Sequence, residues 1–391
     1  MSSLENLQVY GETSVGWDRN TPVNETVDDE GNPTFNFRFG QADPRAPKNR
    51  VYDDPEVEAL RQELKAHNGF PELEICSPKE VERAAFIFHR DGFVVVRDVL
   101  TAQQLEQFRA ASAEVLEAIL VHKGPGNRQY VTETFRLPHR YSFGTASASR
   151  QMLHHPVWAN MIDLPTTTPI LKKIFATDDY KVWGCGGDLC LPGAVEYQHL
   201  HADIHEDFDV PEGRAEHARR LGIHVPDELD AKTRQQIVEM APGFVTINFL
   251  MSDLNWENGP IRQIPGTHGL ATPPPTPAEE PAWMRHSTLV GATAGSCVIR
   301  DNRAWHGATP NLSREVRALP NIEYVSDWFP QRAIVRNMPY EVWQNLPTEH
   351  AKTIAKDVCA EPGVWPAGAG VMHPTASARK EAYQADKERT E

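Results

Sequence analysis

Up to about residue 75 the apolar residues are sparse and follow no sustained period, and Asp, Asn, Pro and Gly dominate stretches such as EGNPTFNFRFGQADPRAPKN. An arm with little regular structure is expected over 1–75, because such a segment buries too little apolar surface to offset the entropy of ordering it. Order begins at Ser77-Pro78-Lys79-Glu80, which offers a helix cap, a proline for the first turn and a capping-box carboxylate before the apolar run Ala84 to Phe88. Asp91-Gly92 ends that helix, and FVVVRDVL (93–100) reads as a β-branched strand. Thr101 with Gln104 then caps a second helix, whose Leu105, Phe108, Val115, Leu116 and Ile119 recur at helical spacing.

From about residue 180 the pattern changes to short apolar runs separated by turn residues, with strands predicted near 181–191, 195–204, 244–251, 260–264, 294–300, 303–307 and 318–326. The succession points to a mainly β fold with flanking helices, a sandwich or barrel rather than βαβ units. A charged stretch, 206–243, interrupts it and predicts two helical pieces, Pro211 to Leu221 and Pro226 to Met240. An insertion of that length beside a strand end serves as a lid or as ornament. ATPPPTPAEEPAWM (271–284) is a Pro-rich surface loop, and PYEVWQNLPTEHAKTIAKDVC, after 338, predicts one amphipathic helix followed by a solvated tail. The chain therefore divides into an arm (1–75), a main domain (76–338) with the insertion 206–243, and a C-terminal helix and tail (339–391).

At 391 residues and 40% apolar composition there is material for one large core. The formal charge of -15 and the lack of a dense Lys/Arg cluster argue against a nucleic-acid partner. Five cysteines (76, 185, 190, 297, 359) form an odd set without a CxxC pair, so neither a disulfide framework nor a zinc knuckle is indicated. No apolar run approaches the ~18 residues that a membrane span needs, and MSSLENLQVYGETS is unlike a signal peptide. A cytoplasmic protein with a small-molecule substrate and no membrane partner is the expectation.

The chemistry lies in the β-rich half. Two imidazoles and one carboxylate on one face of Fe(II) leave positions for a bidentate 2-oxo acid and for dioxygen. His201 and Asp203 lie two apart on a predicted strand, so both side chains point to one face. Taken alone, an H-x-D pair carries little weight in a chain with 16 histidines. Downstream, GSCVIRDNRAWHGATPNLSREVR places His306 at a strand end and Arg317 eleven residues later. Arginine's fork suits a carboxylate bidentately, and here it would grip the distal carboxylate of 2-oxoglutarate. A core histidine and a surface ion-pair arginine do not account for that joint spacing.

Four stretches carry a resemblance to the phytanoyl-CoA dioxygenase family of Fe(II)/2-oxoglutarate oxygenases, over about residues 80–345. HRDGFVVVRDVLTAQQLEQFR resembles the family's opening strand and helix, and LPGAVEYQHLHADIH the strand with its first His and Asp, matching His201 and Asp203. ENGPIRQIPGTHG resembles its NGP…PGSH signature with Thr267 in place of Ser, and WHGATPNLSREVR its distal His and co-substrate Arg, matching His306 and Arg317. The resemblance implies a double-stranded β-helix (jelly roll, cupin-like) core with iron at its open mouth. It also implies dioxygen use and oxidation coupled to decarboxylation of 2-oxoglutarate to succinate.

Some members carry a Ser two residues after the distal His, which helps hold the co-substrate; here Ala308 stands there. Arg317 is then expected to lean on Thr309, or on Thr246 and Asn248, which alternate with Val245, Ile247 and Phe249. Asp203 occupies the position that a small residue takes in the related halogenases, which favours oxygen insertion or desaturation. Asp188, His205 and Arg136 are candidates for contact with substrate; His199 and His139 are weaker ones, and Cys185 and Cys190 read as buried small residues. Arg214, Arg219 and Arg220 are a slight hint of phosphate binding. Two other readings stay open: a cupin-like metalloenzyme that does not use 2-oxoglutarate, and a catalytically silent jelly-roll binding protein.

Overall fold

The computed structural model describes residues 7–17, 26–27, 33–34, 45–121, 139–144, 152–204, 224, 230, 242–270, 272–327, 329, 336–366, 384–385 and 388–389. In chain order the strands are β1 (Thr26–Val27), β2 (Pro33–Thr34), β3 (Ile75–Cys76), β4 (Phe93–Val96), β5 (Arg140–Phe143), β6 (Lys181–Cys190), β7 (Phe244–Phe249), β8 (Ile261–Gln263), β9 (Cys297–Asp301), β10 (His306–Ala308) and β11 (Arg317–Val325). The helices are α1 (Pro55–His67), α2 (Val81–Asp91), α3 (Ala102–Val121), α4 (Pro156–Ala159), α5 (Thr168–Phe175), α6 (Ala282–His286), α7 (Tyr340–Gln344) and α8 (Glu349–Ile354).

Seven strands form the larger layer in the order β3-β4-β9-β7-β11-β6-β5, antiparallel except for β3 with β4. The smaller layer is β10 paired with β8, extended by isolated bridges Ala194 to Asn311, His201 to His306 and Arg262 to Thr288. Together the layers make the jelly roll. Inward residues alternate along each strand, and Phe93, Val95, Val298 and Leu319 of the large sheet meet Ile261 of the small one. The other face of the large sheet packs on α2, α3, α4 and α5 through Phe88, Phe108, Val115, Trp158, Ile174 and their neighbours.

Local chemistry explains the helix ends. Gln104 and Thr101 bond reciprocally, Thr101 N to Gln104 Oε1 at 2.9 Å and Gln104 N to Thr101 Oγ1 at 3.2 Å, which is the capping box read from sequence. At Ser77 the carboxylate half forms, with Glu80 Oε2 accepting Ser77 N at 2.7 Å, but α2 itself starts only at Val81. Gly92, at φ 82°, closes α2 in the left-handed region that glycine adopts without a Cβ penalty.

Three expectations change. The stretch 1–75 carries the 13-residue helix α1, capped by Asp54, whose side chain accepts Glu56 N at 2.8 Å. Its Val57 and Leu64 are fully buried against Val195, Tyr197 and Leu312, so tertiary burial orders a segment whose composition alone would not. The predicted strand 195–204 is extended chain held by the isolated bridge His201 to His306, because Gln198 inserts its side chain and takes Ala308 N on Oε1 at 3.1 Å. The single C-terminal helix is broken into α7 and α8 at Pro347, with Thr348 recapping the chain by accepting Ala351 N at 2.9 Å. Among the described residues no helix is long and apolar enough to cross a membrane.

Candidate metal centre

The chain brings His201, Asp203 and His306 together through backbone bonds. His201 and His306 exchange N–H and carbonyl at 3.0 Å each way, which lays the 194–204 segment along β10. The Asp203 N–H donates to Asn302 O at 2.8 Å, fixing the carboxylate over the end of β9. One ligand atom from each of the three lies within 4.8 Å of the others. The Nε2 atoms of both imidazoles stand 3.7 Å from Asp203 carboxylate oxygens.

Each imidazole has its tautomer set. His201 Nδ1 is 3.2 Å from His199 O, and His306 Nδ1 is 3.0 Å from Ala304 O. A carbonyl only accepts, so Nδ1 carries the proton and Nε2 presents a lone pair to the centre. Burial, then the charge of Arg300, pushes His306 well below its ordinary value, so it stays neutral as a ligand must. Burial pushes Asp203 the other way, but the Arg300 guanidinium, through its charge and its hydrogen bond, leads the opposing pull, and the carboxyl lies below the usual carboxylate range. A third of the Asp203 side chain (33%) is open to the mouth, so water screens part of that pull. Two imidazole lone pairs and a carboxylate are a donor set that fits Fe(II).

Arg300, on the inward face of β9, pairs with Asp203, Nη1 to Oδ2, at 2.7 Å. Asn248 Oδ1 accepts Arg300 Nε at 3.3 Å, and Thr246 Oγ1 donates to Asn302 Oδ1 at 2.7 Å. Thr246 and Asn248 are thus engaged with the Arg300 and Asn302 side chains behind the carboxylate, not with Arg317. The register explains this: Asn248 faces Asn321, four residues along β11 from Arg317.

Arg317 lies on the same inner wall, 2% exposed. Its Nε donates to Gly259 O at 3.0 Å and its guanidinium also bonds the Cys190 side chain, while its buried Nη1 has no hydrogen-bond partner among the described residues. Among the described residues no carboxylate forms an ion pair with it, and burial pushes its guanidinium below its ordinary value. Asp188 attracts it without forming an ion pair and the Cys190 side chain accepts one of its N–H groups, so the donor that stays unmet, Nη1, is one that a bound carboxylate would take. Thr309 lies close by but donates its hydroxyl to Pro260 O at 2.6 Å. Asp188 is in register with Leu319, toward the Arg317 end of the wall rather than beside the three ligands. His139 is buried next to β5, and Cys185 is in the outer core. Cys190 faces Arg317 across the strands and accepts Arg140 Nη1 on its sulfur at 3.0 Å. Arg136, His205 and nearly all of the insertion 206–243, with Arg214, Arg219 and Arg220, fall outside the described residues.

Arg300 had not stood out in the sequence. Arg300 did leave a trace, as a charge inside CVIRD, a run that is otherwise strand-like and wholly buried.

The sequence matches the family model described as phytanoyl-CoA dioxygenase (PhyH) over residues 88–319, more than half of the chain. Among solved structures, it is similar to HygX from Streptomyces hygroscopicus, a structure with nickel, 2-oxoglutarate and hygromycin B bound, at 16% identity and a TM-score of 0.43, covering 63% of this chain and 88% of that one. It is also similar to SnoK, a non-heme alpha ketoglutarate dependent carbocyclase from nogalamycin biosynthesis, at 19% identity and a TM-score of 0.38, covering 65% and 87%. The epimerase SnoN in complex with Fe3+, alpha ketoglutarate and nogalamycin RO matches at 18% identity and a TM-score of 0.39, covering 64% and 84%.

Proposed function

The chain belongs to the phytanoyl-CoA dioxygenase family of non-haem Fe(II)/2-oxoglutarate oxygenases, and from that premise we propose that His201, Asp203 and His306 hold the ferrous ion while Arg317 holds the distal carboxylate of 2-oxoglutarate. The reaction is oxidation of a C–H bond in a small-molecule metabolite, with release of succinate and CO2. Hydroxylation is the primary outcome, and desaturation or ring closure are branches of the same chemistry. The observation that carries this reading is the convergence of two oriented Nε2 lone pairs and one carboxylate within 4.8 Å.

When bound, iron supplies the electron and dioxygen chemistry that couples co-substrate decarboxylation to substrate oxidation. The residues supply the rest. His199 O and Ala304 O keep both imidazoles in the ligating tautomer. Arg300 holds Asp203 through Oδ2 and so fixes a carboxylate whose two oxygens face the two imidazoles. Arg317, buried and short of a counter-charge, selects a diacid over a monoacid and extends it from the ligands along the inner wall. The apolar plug around Leu319, Val298 and Ile261 keeps water from that wall.

The test is anaerobically loaded enzyme mixed with dioxygen, 2-oxoglutarate and a panel of metabolites, with succinate and product quantified together. The expected result is succinate formed in step with one consumed metabolite, and neither formed by His201→Ala. Succinate from His201→Ala at the parent rate would remove the proposed ligand, and product without succinate would favour a cupin-like enzyme of another class.

A further inference from the structure

Gln263 is fully buried, and among the described residues neither Oε1 nor Nε2 has a hydrogen-bond partner. Its backbone is pinned on both sides: Gln263 N donates to Ser287 O at 3.0 Å, and Ser287 Oγ donates to Gln263 O at 2.8 Å. The direction of its side chain follows from the register. Gln263 pairs with His306 and Ile261 with Ala308, and residues opposed on an antiparallel ladder share a face. Ile261 packs on Leu319 and Val298 of the large sheet, so that face is the interior of the jelly roll. Arg262 faces the other way, pairing with Glu280 and lying over the Tyr197 ring. Gln263 therefore points inward beside His306, an amide held at the metal-ligand end of the wall that Arg317 closes at its other end.

A buried amide with both atoms unpaired is costly, and its persistence calls for a ligand that is itself polar. Resting on the reading above, we propose that Gln263 is a positioning residue for the 2-oxo acid end of the co-substrate, its Nε2–H donating to the carboxylate or keto oxygen that lies next to His306. Arg317 and Gln263 then divide the recognition. The guanidinium reads the distal carboxylate, and the amide reads the end that every 2-oxo acid shares.

The experiment uses the full-length chain loaded anaerobically with Fe(II) and titrated with 2-oxoglutarate and, separately, with pyruvate, which has no distal carboxylate. The visible band of the iron–oxo acid complex gives the affinity, and thermal melting of the metal-free chain gives stability. Gln263→Met, similar in volume, should weaken both acids about 10-fold, as loss of a hydrogen bond to a charged group implies, and should melt no lower than the parent. Gln263→Glu should weaken both acids further, by charge repulsion. Arg317→Met, by contrast, should weaken 2-oxoglutarate and leave pyruvate unchanged. Binding of both acids by Gln263→Met within twofold of the parent would overturn the assignment, as would a metal-free Gln263→Met chain that melts several degrees lower, the mark of a purely structural amide. A parent that binds iron and 2-oxoglutarate while Gln263→Met binds them equally well removes this inference alone; a parent that binds neither removes the functional reading along with it.

Discussion

Arg317 combines deep burial, one backbone acceptor, a thiol acceptor in Cys190 and an Nη1 that is unpaired among the described residues, which is a poor arrangement for a cation that serves only the fold. Its replacement therefore separates binding from stability. Arg317→Met should leave the melting temperature of the ligand-free protein unchanged or higher, since it removes a buried charge that no carboxylate pairs with among the described residues. It should also raise the 2-oxoglutarate requirement roughly 10- to 100-fold, the equivalent of a charge-assisted bond of about 1.5–3 kcal/mol. Melting curves and a 2-oxoglutarate titration of the two proteins check both halves. A large loss of stability without ligand would mark Arg317 as structural. Arg300 is the opposite case: its guanidinium is engaged by Asp203 and Asn248, so its contribution is to the orientation of the carboxylate.

Two elements outside the jelly roll bear on the site through packing. Helix α1 covers the segment that carries His201, with Leu64 buried among Val57, Tyr197 and Leu312. Leu64→Ala should cost about 2–5 kcal/mol, the usual range for a cavity in a tight core, and should weaken iron binding as the His201 segment loosens. Denaturant melts and a metal titration check this; an unchanged iron affinity would show that the segment holds without its helix. At the other end, Asp163 accepts from Thr168 Oγ1 at 2.6 Å and His350 Nδ1 at 3.0 Å, and also bonds Thr348, which ties α8 to α5. Burial raises the Asp163 carboxyl, but these three bonds outweigh it and leave it below its ordinary value. A depressed carboxyl stabilises the fold fully above the unfolded value, near about 3.9, and the stabilisation fades as pH falls through the folded value. Asp163→Asn should therefore lose roughly 1–3 kcal/mol at neutral pH and flatten the stability profile below about pH 4. A parallel pair of acid profiles would contradict that role.

At the scale of the whole molecule, short apolar runs between turn residues exposed most of the β layers, and the caps at Thr101 and Gly92 marked helix ends where the structure has them. These signals are local, written within a few residues of where they act. What escaped was non-local. Helix α1 is ordered by a surface more than 100 residues away, and the ladder of the 195–204 chain is interrupted by one inserted glutamine side chain. The same holds inside the site. Type and spacing marked His201, Asp203 and His306, which the fold brings together, whereas the partners of Thr246 and Asn248 depended on which strand lies beside β7. Gln263 gave no signal until its register with His306 was known. The most direct test of the centre as a whole is an anaerobic titration of the metal-free protein with Fe(II) and 2-oxoglutarate, followed through the visible band of their complex. One iron per chain, a band that needs both ligands and bleaches on admission of dioxygen, and no band with Asp203→Ala are the predicted results. A band of full intensity in Asp203→Ala, or none in the parent at saturating iron and co-substrate, would contradict them.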